Sequence, residues 1–266
     1  MKRLAFNLIW AVILSAVAVS CSVKEDRSGA PCYLTVHLDD ADPDSLYRHT
    51  VITTHHGGRR VSSDTLVIAD FIPEGFGISI PRGWNPLSAI TGNVNSVIRH
   101  DSLYVARGRN FDRIFAHCAL LDCNWDTEQD YVAFSKQHVV ITIKAKTAFG
   151  GYYPADMRIR ANSSGMNIFN FEPLIGPFTA FAERKRDGTL VFVVPRQGDN
   201  SMALDIMRPD GTIEVSFQLG RMIESSGYDW TKKDLDDITV TIDYASMNLS
   251  VSIENWDNEN KGVIII

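Results

Sequence analysis

Residues 237–256 read DITVTIDYASMNLSVSIENW, and they carry the pattern that decides the fold of this chain. Two short runs, DITVTIDY and NLSVSIENW, mix polar residues with valine, isoleucine, leucine and threonine. Such runs, bounded by small polar residues, are typical of β-strands with one buried face. Neither run has the 3.6-residue repeat of an amphipathic helix. The stretch therefore predicts two strands.

The same strand-like sequence pattern is found along the chain from Pro31 onward. Short runs rich in Val, Ile, Thr and Tyr are separated by Gly, Pro, Asp and Asn at close intervals. Gly57–Gly58 predicts a two-residue hairpin turn, and RDGT (186–189) and PDGT (209–212) are turn signatures. The best helix candidate is TKKDLDD, with Thr231 as its N-cap. The predicted fold is all-β, with two β-sandwiches and few short helices.

A polar stretch at residues 121–131, LDCNWDTEQDY, interrupts the strand pattern and predicts a domain boundary. We expect an N-terminal β-sandwich domain over residues 31–124. A C-terminal β-sandwich domain, with the terminal strand, is expected over residues 125–266. The roughly 245 residues that follow residue 20 are enough for one large or two small domains, and the strand pattern fits two better.

The chain begins with the layout of an export signal. Lys2 and Arg3 precede a short apolar run that ends in small residues. That run is shorter than the roughly 20 residues that a bilayer-spanning helix needs. Residues 18–21, AVSC, resemble a bacterial lipobox, in which the cysteine becomes the first mature residue and carries lipid. The alternative is an ordinary cleavage site that leaves Cys21 as a thiol.

We therefore predict a lipoprotein signal peptide at residues 1–20 and acyl chains, including palmitate, on Cys21. More than one acyl chain is needed for a durable anchor, and a tri-acylated cysteine meets that need. Residues 21–30 form the lipidated tether. The expected location is the outer membrane, with a soluble body held there by its lipid.

The charge of the chain argues against nucleic acid as a partner. Removal of residues 1–20 deletes two of the 26 basic residues and none of the 32 acidic ones. Nucleic acids and anionic membrane surfaces bind clustered Lys and Arg. An acidic chain without such clusters is not expected to bind either.

Three cysteines remain if Cys21 carries lipid: Cys32, Cys118 and Cys123. One disulfide with three choices of pair is open in an oxidising compartment. The short Cys118-x4-Cys123 spacing makes that pair our first expectation. No second ligand pair is spaced to complete a zinc site, so no metal is predicted.

The sequence has no motif for catalysis. GxSxG, HExxH, P-loop and GxGxxG patterns are absent, and the adjacent His55 and His56 would face opposite sides of a strand. We expect neither an enzyme nor a small-molecule cofactor. Trp84, Trp125 and Trp230 fit a glycan-binding platform and core packing equally well.

The chain ends with a polar linker, NWDNENKG (255–262), and a wholly apolar segment formed by Val263, Ile264, Ile265 and Ile266. An exposed β-branched end would be an aggregation hazard. It is therefore either an ordinary last strand buried in its own domain or a strand donated to another subunit. In strand donation, main-chain hydrogen bonds give affinity and side-chain pockets give specificity.

Several blocks of the chain resemble the fimbrillin-associated anchor (FimB-like) lipoproteins of Bacteroidales-type (type V) pili. They are CSVKEDRSGAPCYLTVHL (21–38), IPEGFGISIPRGWNPLSAITGN (72–93), SLYVARGRNFDRIFA (102–116), YVAFSKQHVVITIKAK (131–146) and, most specifically, GYDWTKKDLDDITVTIDYASMNLSVSIENW (227–256). The resemblance covers nearly the whole mature chain. It implies two tandem transthyretin-like β-sandwich domains.

The resemblance also implies a role as the pilus anchor. In related pilins a protease removes an N-terminal strand, and the C-terminal strand of another subunit fills the groove. An anchor that stays lipidated is expected to keep its own groove closed and to donate Val263–Ile266 to a stalk subunit. A departure from the family is the shortness of this apolar run.

The charged cluster Lys24, Glu25 and Asp26 resembles the export tag that sends lipoproteins of this bacterial group to the cell surface. We favour this export tag over the alternative, which is a solvated tether behind the lipid. Two other functions remain open: a free-standing surface lipoprotein that binds glycan, and a tip or accessory adhesin of the same pilus.

Overall fold

A computed structural model describes residues 27, 29–38, 49–106, 108–146, 156–243 and 248–254. The predicted lipidation site Cys21, the charged cluster Lys24, Glu25 and Asp26, and the terminal segment Val263, Ile264, Ile265 and Ile266 lie outside these residues. Within the described ranges, no helix is long and apolar enough to cross a bilayer.

The described residues of the first half of the chain form ten strands. They are β1 Cys32–His37, β2 His49–His56, β3 Arg59–Val67, β4 Phe76–Ile80, β5 Trp84–Thr91, β6 Ser96–Arg99, β7 Ser102–Val105, β8 Phe115–Asp122, β9 Thr127–Tyr131 and β10 Ser135–Lys136. A 3₁₀ turn at Ile68–Phe71 follows β3.

The second half adds nine described strands and one described α-helix. They are β11 His138–Lys146, β12 Asp156–Asn167, β13 Pro173–Phe181, β14 Glu183–Arg184, β15 Leu190–Pro195, β16 Ala203–Met207, β17 Ile213–Phe217, α1 Leu219–Ser225, β18 Asp237–Asp243 and β19 Asn248–Glu254.

Two sheets built from the first half enclose a small core. One has the order β4-β1-β9, and the other has the order β10-β8-β5-β2-β3. Leu34 and Val36 alternate along β1 and are fully buried against Ile52, Leu87 and other apolar side chains. This period of two is what the sequence pattern predicts for a strand with one buried face.

Two further sheets enclose a larger core. One has the order β14-β15-β11-β18-β19, and the other has the order β17-β16-β12-β7-β6, with β13 on the opposite edge of β12. The β6–β7 hairpin comes from the first half of the chain and pairs with the end of β12. Gly165 permits this pairing because a Cβ there would collide with the carbonyl of Leu103.

The structure confirms the predicted all-β sandwich fold with little helix. Gly57 and Gly58 form the predicted turn between β2 and β3, both with positive φ (55° and 76°). The division into domains at residues 124 and 125 stays a prediction. The polar stretch at this position contains β9, which pairs in parallel with β1.

The predicted helix in TKKDLDD is wrong. Thr231 instead belongs to a turn that begins at Asp229. The Asp229 carboxylate accepts hydrogen bonds from the Thr231 hydroxyl and backbone N–H at 2.6 and 2.8 Å. The N–H of Leu235 donates to Lys136 O at 3.1 Å, across 99 residues of sequence. Long-range partners therefore take the backbone groups that a helix would have used.

Candidate functional site

The strand that follows the predicted tether, β1, is the central strand of a three-stranded sheet. β1 pairs antiparallel with β4 along one edge and parallel with β9 along the other. Both edges of this strand are therefore occupied by the same chain. Extracting it would break both ladders and expose Leu34 and Val36.

The segment just before β1 is held by an arginine–aspartate clamp. Arg82 donates to Ala30 O at 2.8 Å and also to Asn124 O and the Asp126 carboxylate. Arg27 donates to the other carboxylate oxygen of Asp126 at 2.9 Å. Hydrogen bonds from Arg82 and then Arg27 hold the pKa of Asp126 below its usual value. These bonds thereby fasten the residues that directly precede β1.

Two buried cysteines, Cys32 and Cys123, lie next to this clamp in the sequence and in the fold. Cys32 and Cys123 are both fully buried, and the Cys123 thiol donates a hydrogen bond to the Cys32 sulfur. Cys118 lies half-buried on β8. All three are free thiols in the structure. The pairing of Cys118 with Cys123 stays a prediction, whereas the observed contact joins Cys123 to Cys32.

The short connection between the two cores is held by a buried lysine. Lys136 is 1% exposed, and its Nζ donates to Leu235 O at 2.9 Å and to the Asp237 carboxylate. The same carboxylate accepts the N–H of Val140 at 2.8 Å. Burial lowers the pKa of Lys136, and the charge of Asp237 opposes that shift. A desolvated charge that is paired in this way fixes the position of its backbone.

Arg196 reinforces the same connection from the other side. It donates to Gln137 Oε1 and to Lys232 O, each at 2.8 Å, and to Trp230 O. Gln137 in turn donates to Lys233 O at 2.9 Å. The segment at residues 227–237, which is the first part of the block at 227–256, therefore supplies backbone acceptors that hold the connection between the cores.

His138 completes the junction on the side of the first half. Its Nδ1–H donates to Ile114 O at 3.0 Å, and its ring packs edge-on against Phe115. Burial and then the charge of Lys136 lower its pKa to about 3. The junction is thus a buried polar network in which Lys136, Arg196 and His138 each donate to specific acceptors.

The described chain ends on an edge strand. β19 pairs with β18 from Asp237↔Glu254 to Asp243↔Asn248. β18 pairs in parallel with β11, the strand that leaves the junction. Within the described residues β19 is the last strand of its sheet. A direct structural path therefore joins the junction to the segment from which residues 255–266 continue.

A separate cleft lies beside the junction. It has a volume of about 710 Å³, and Phe171, Tyr228 and Trp230 line it together with Asp199 and Asn200. The rings of Tyr228 and Trp230 are 4.7 Å apart. A concave site that combines aromatic side chains with a few polar groups is typical of small-molecule binding sites.

The three tryptophans singled out in the sequence do not form one platform with this cleft. Trp230 lies in the cleft, whereas Trp84 and Trp125 are absent from its lining and are 59% and 72% exposed. The sequence does not reveal Arg82, Lys136 and Arg196, because a single basic residue in a β-rich chain has no spacing that marks it as functional.

No family model matches the chain, and no curated protein matches its sequence. Solved structures do match. A protein of Bacteroides thetaiotaomicron, described as a candidate polysaccharide-binding protein, has a TM-score of 0.58 at 10% identity, over 86% of this chain and 99% of that one. The fimbrial anchor protein Mfa2 of Porphyromonas gingivalis has a TM-score of 0.56 at 10% identity, over 85% and 97%.

A candidate adhesin of Bacteroides thetaiotaomicron has a TM-score of 0.55 at 11% identity, over 85% of this chain and 96% of that one. In each case the match spans most of both chains. The chain therefore shares the fold of these Bacteroidales proteins.

Proposed function

We propose that this chain is a lipid-anchored outer-membrane subunit of a pilus, and that it attaches the stalk to the cell surface by donating its C-terminal strand. The observation that carries the proposal is the pairing of β1 within its own chain. Its two edges are paired within the chain, and Arg82 fastens the residues before it. Such a subunit retains its first strand and its tether, which is what an anchor requires.

The arrangement of the two ends supports the same role. A tether at residues 21–30 enters at the clamp, and the chain leaves its last core from the edge strand β19. The buried network around Lys136 joins the two cores between these points. Tension applied at the two ends would therefore pass through paired strands and a polar junction with defined partners. The fold shared with a fimbrial anchor protein agrees with this proposal.

The first experiment deletes residues 261–266. We expect the truncated protein to fold and to reach the cell surface, while fibres move from the cells into the medium. A matched control replaces the same six residues with Gly-Ser-Gly-Ser-Gly-Ser, which keeps the length but removes the apolar side chains. Both variants should release fibres. Fibres that stay on cells carrying either variant, at wild-type surface levels, would refute the donor role.

The cleft at Trp230 favours a second candidate function, which is glycan binding. It combines two aromatic rings with Asp199 and Asn200, and one protein that shares the fold is described as a candidate polysaccharide-binding protein. Trp230→Ala removes the indole but keeps the backbone carbonyl that Arg196 uses. If the second function holds, this variant loses retention on a glycan array and keeps fibres on the cell.

A further inference from the structure

We propose that Cys32 and Cys123 form a disulfide in the exported protein, and that this bond locks the entry strand β1 to the turn between β8 and β9. The inference rests on one part of the proposed function, which is export to an oxidising compartment. It does not depend on donation of the C-terminal strand.

The geometry favours this pair because the backbone is fixed on both sides of the two thiols. The N–H of Cys123 donates to Gly83 O at 2.9 Å, and the N–H of Tyr33 donates to Asp126 O at 2.8 Å. These bonds hold the first residue of β1 beside the turn that contains Cys123. The thiols are already in hydrogen-bond contact. The two side chains also lie in the same buried core, so they are neighbours that a disulfide could join.

The surroundings of the pair also favour a permanent bond. Both residues belong to the core that contains Leu34 and Leu121, and both are 0% exposed. Burial raises the pKa of the Cys123 thiol to about 12, so the folded protein holds very little thiolate there. The bond would form during folding, before the core closes, and would then be shielded from soluble reductants.

The chemistry is thiol–disulfide exchange with a disulfide donor of the exporting compartment. The Cys123 thiolate attacks one sulfur of the donor, and the first donor thiolate leaves. The Cys32 thiolate then attacks the Cys123 sulfur of this mixed disulfide, and the second donor thiolate leaves. The two cysteines lose two electrons and two protons, and the donor disulfide becomes a dithiol.

The bond would change how force enters the domain. Cys32 is the first residue of β1, so a pull on the tether at residues 21–30 reaches it before the β-ladder. A covalent bond to Cys123 passes that force directly to the turn that follows β8. The ladders of β1 with β4 and β9 could not then be unzipped from the tether end. Proteolysis before residue 32 would likewise leave β1 attached.

The test maps the disulfide in the full chain. The protein is exported in a bacterium, extracted in detergent, denatured without reductant, alkylated with iodoacetamide and digested. We expect one linked pair of peptides that contains Cys32 and Cys123, with Cys118 alkylated. Alkylation of all three cysteines, or a link that includes Cys118, would overturn the proposal.

Variants give a second measurement. Cys32→Ser/Cys123→Ser should lower the melting temperature by about 10 °C, because the bond closes a long loop of the unfolded chain. Cys118→Ser is the matched control and should melt within about 2 °C of the wild type, as expected for a half-buried residue outside the bond. A double variant that melts like the control would contradict the proposal, and if it fails to fold, the map of the wild-type protein decides.

The two proposals can fail separately. A Cys32–Cys123 link in a protein whose truncation at residue 260 keeps fibres on cells would refute the donor role alone. Three free thiols in a protein whose truncation releases fibres would refute the disulfide alone.

Discussion

The buried imidazole of His138 should make the stability of this protein depend on pH. Its pKa falls from 6.5 in an exposed setting to about 3 in the folded chain, because burial and the nearby charge of Lys136 oppose protonation. Between these two values the unfolded chain binds a proton that the folded chain does not. Stability is therefore complete above about pH 6.5 and is lost as the pH falls.

The size of the effect follows from the shift. One pKa unit corresponds to about 1.4 kcal/mol, so the full loss on going to pH 3 is about 5 kcal/mol. About 2 kcal/mol of this loss is already present at pH 5. The range from pH 7.5 to pH 5 is the useful one, because ordinary carboxylates stay ionised there. Burial lowers the pKa of His55 as well, which adds to the slope of the wild type in the same direction.

The assay is urea unfolding at several pH values for the wild type and His138→Asn. The asparagine keeps an N–H donor for Ile114 O but does not ionise. The free-energy gap between the two proteins should shrink by about 2 kcal/mol from pH 7.5 to pH 5. His49→Asn, at an exposed position on β2, controls for the loss of one imidazole and should follow the wild type. A gap that stays constant across this range would refute the reasoning.

Three further substitutions test the clamp, the junction and a buried turn. Asp237→Asn should lower the free energy of unfolding, measured in urea, by about 2–4 kcal/mol, because it removes the carboxylate charge beside the buried Lys136. Lys136→Met/Asp237→Asn should recover part of that loss. A double variant no more stable than the single one would contradict this account. Asp112→Ala should lower the free energy of unfolding by about 2–4 kcal/mol, because the Asp112 carboxylate accepts the backbone N–H groups of residues 94–96 at 2.6 to 2.9 Å. Asp112→Asn keeps one acceptor oxygen and should lose less stability. Equal losses in the two variants would argue against this role. Arg82→Ala should increase the rate of proteolytic cleavage at residues 27–31 at least severalfold, while the rest of the chain resists the protease. An unchanged cleavage rate would show that the clamp does not hold the tether.

The strand pattern was predictable because it is local. Leu34 and Val36 show their burial through a period of two, and Gly57–Gly58 marks its turn by composition alone. The segment at residues 231–237 has good helical capping chemistry but does not form a helix. Its backbone and side-chain groups bond to Lys136, Gln137 and Arg196, and no local rule contains that information.

The candidate site likewise has local features that the sequence predicts and long-range contacts that it does not. The predicted lipidated cysteine and the apolar end are chemical signals within a few residues, so they could be proposed from the sequence. The clamp joins Arg82 to Asp126 across 44 residues, and the junction joins Lys136 to Asp237 across 101. Such pairs exist only after the sheets form. The same holds for Cys32 and Cys123, where the shorter spacing of Cys118 and Cys123 drew the first prediction.

The central claim is that the last four residues act as a strand inserted into a stalk subunit. Successive side chains of a strand face opposite sides, so only alternate residues would enter the pockets of the partner. Two full-length variants separate the faces: Val263→Asn/Ile265→Asn and Ile264→Asn/Ile266→Asn. The measurement is the fraction of fibres retained on cells at equal surface levels of the two proteins. The account predicts that one variant releases most fibres and that the other retains most of them, whereas wild-type retention by both would contradict it.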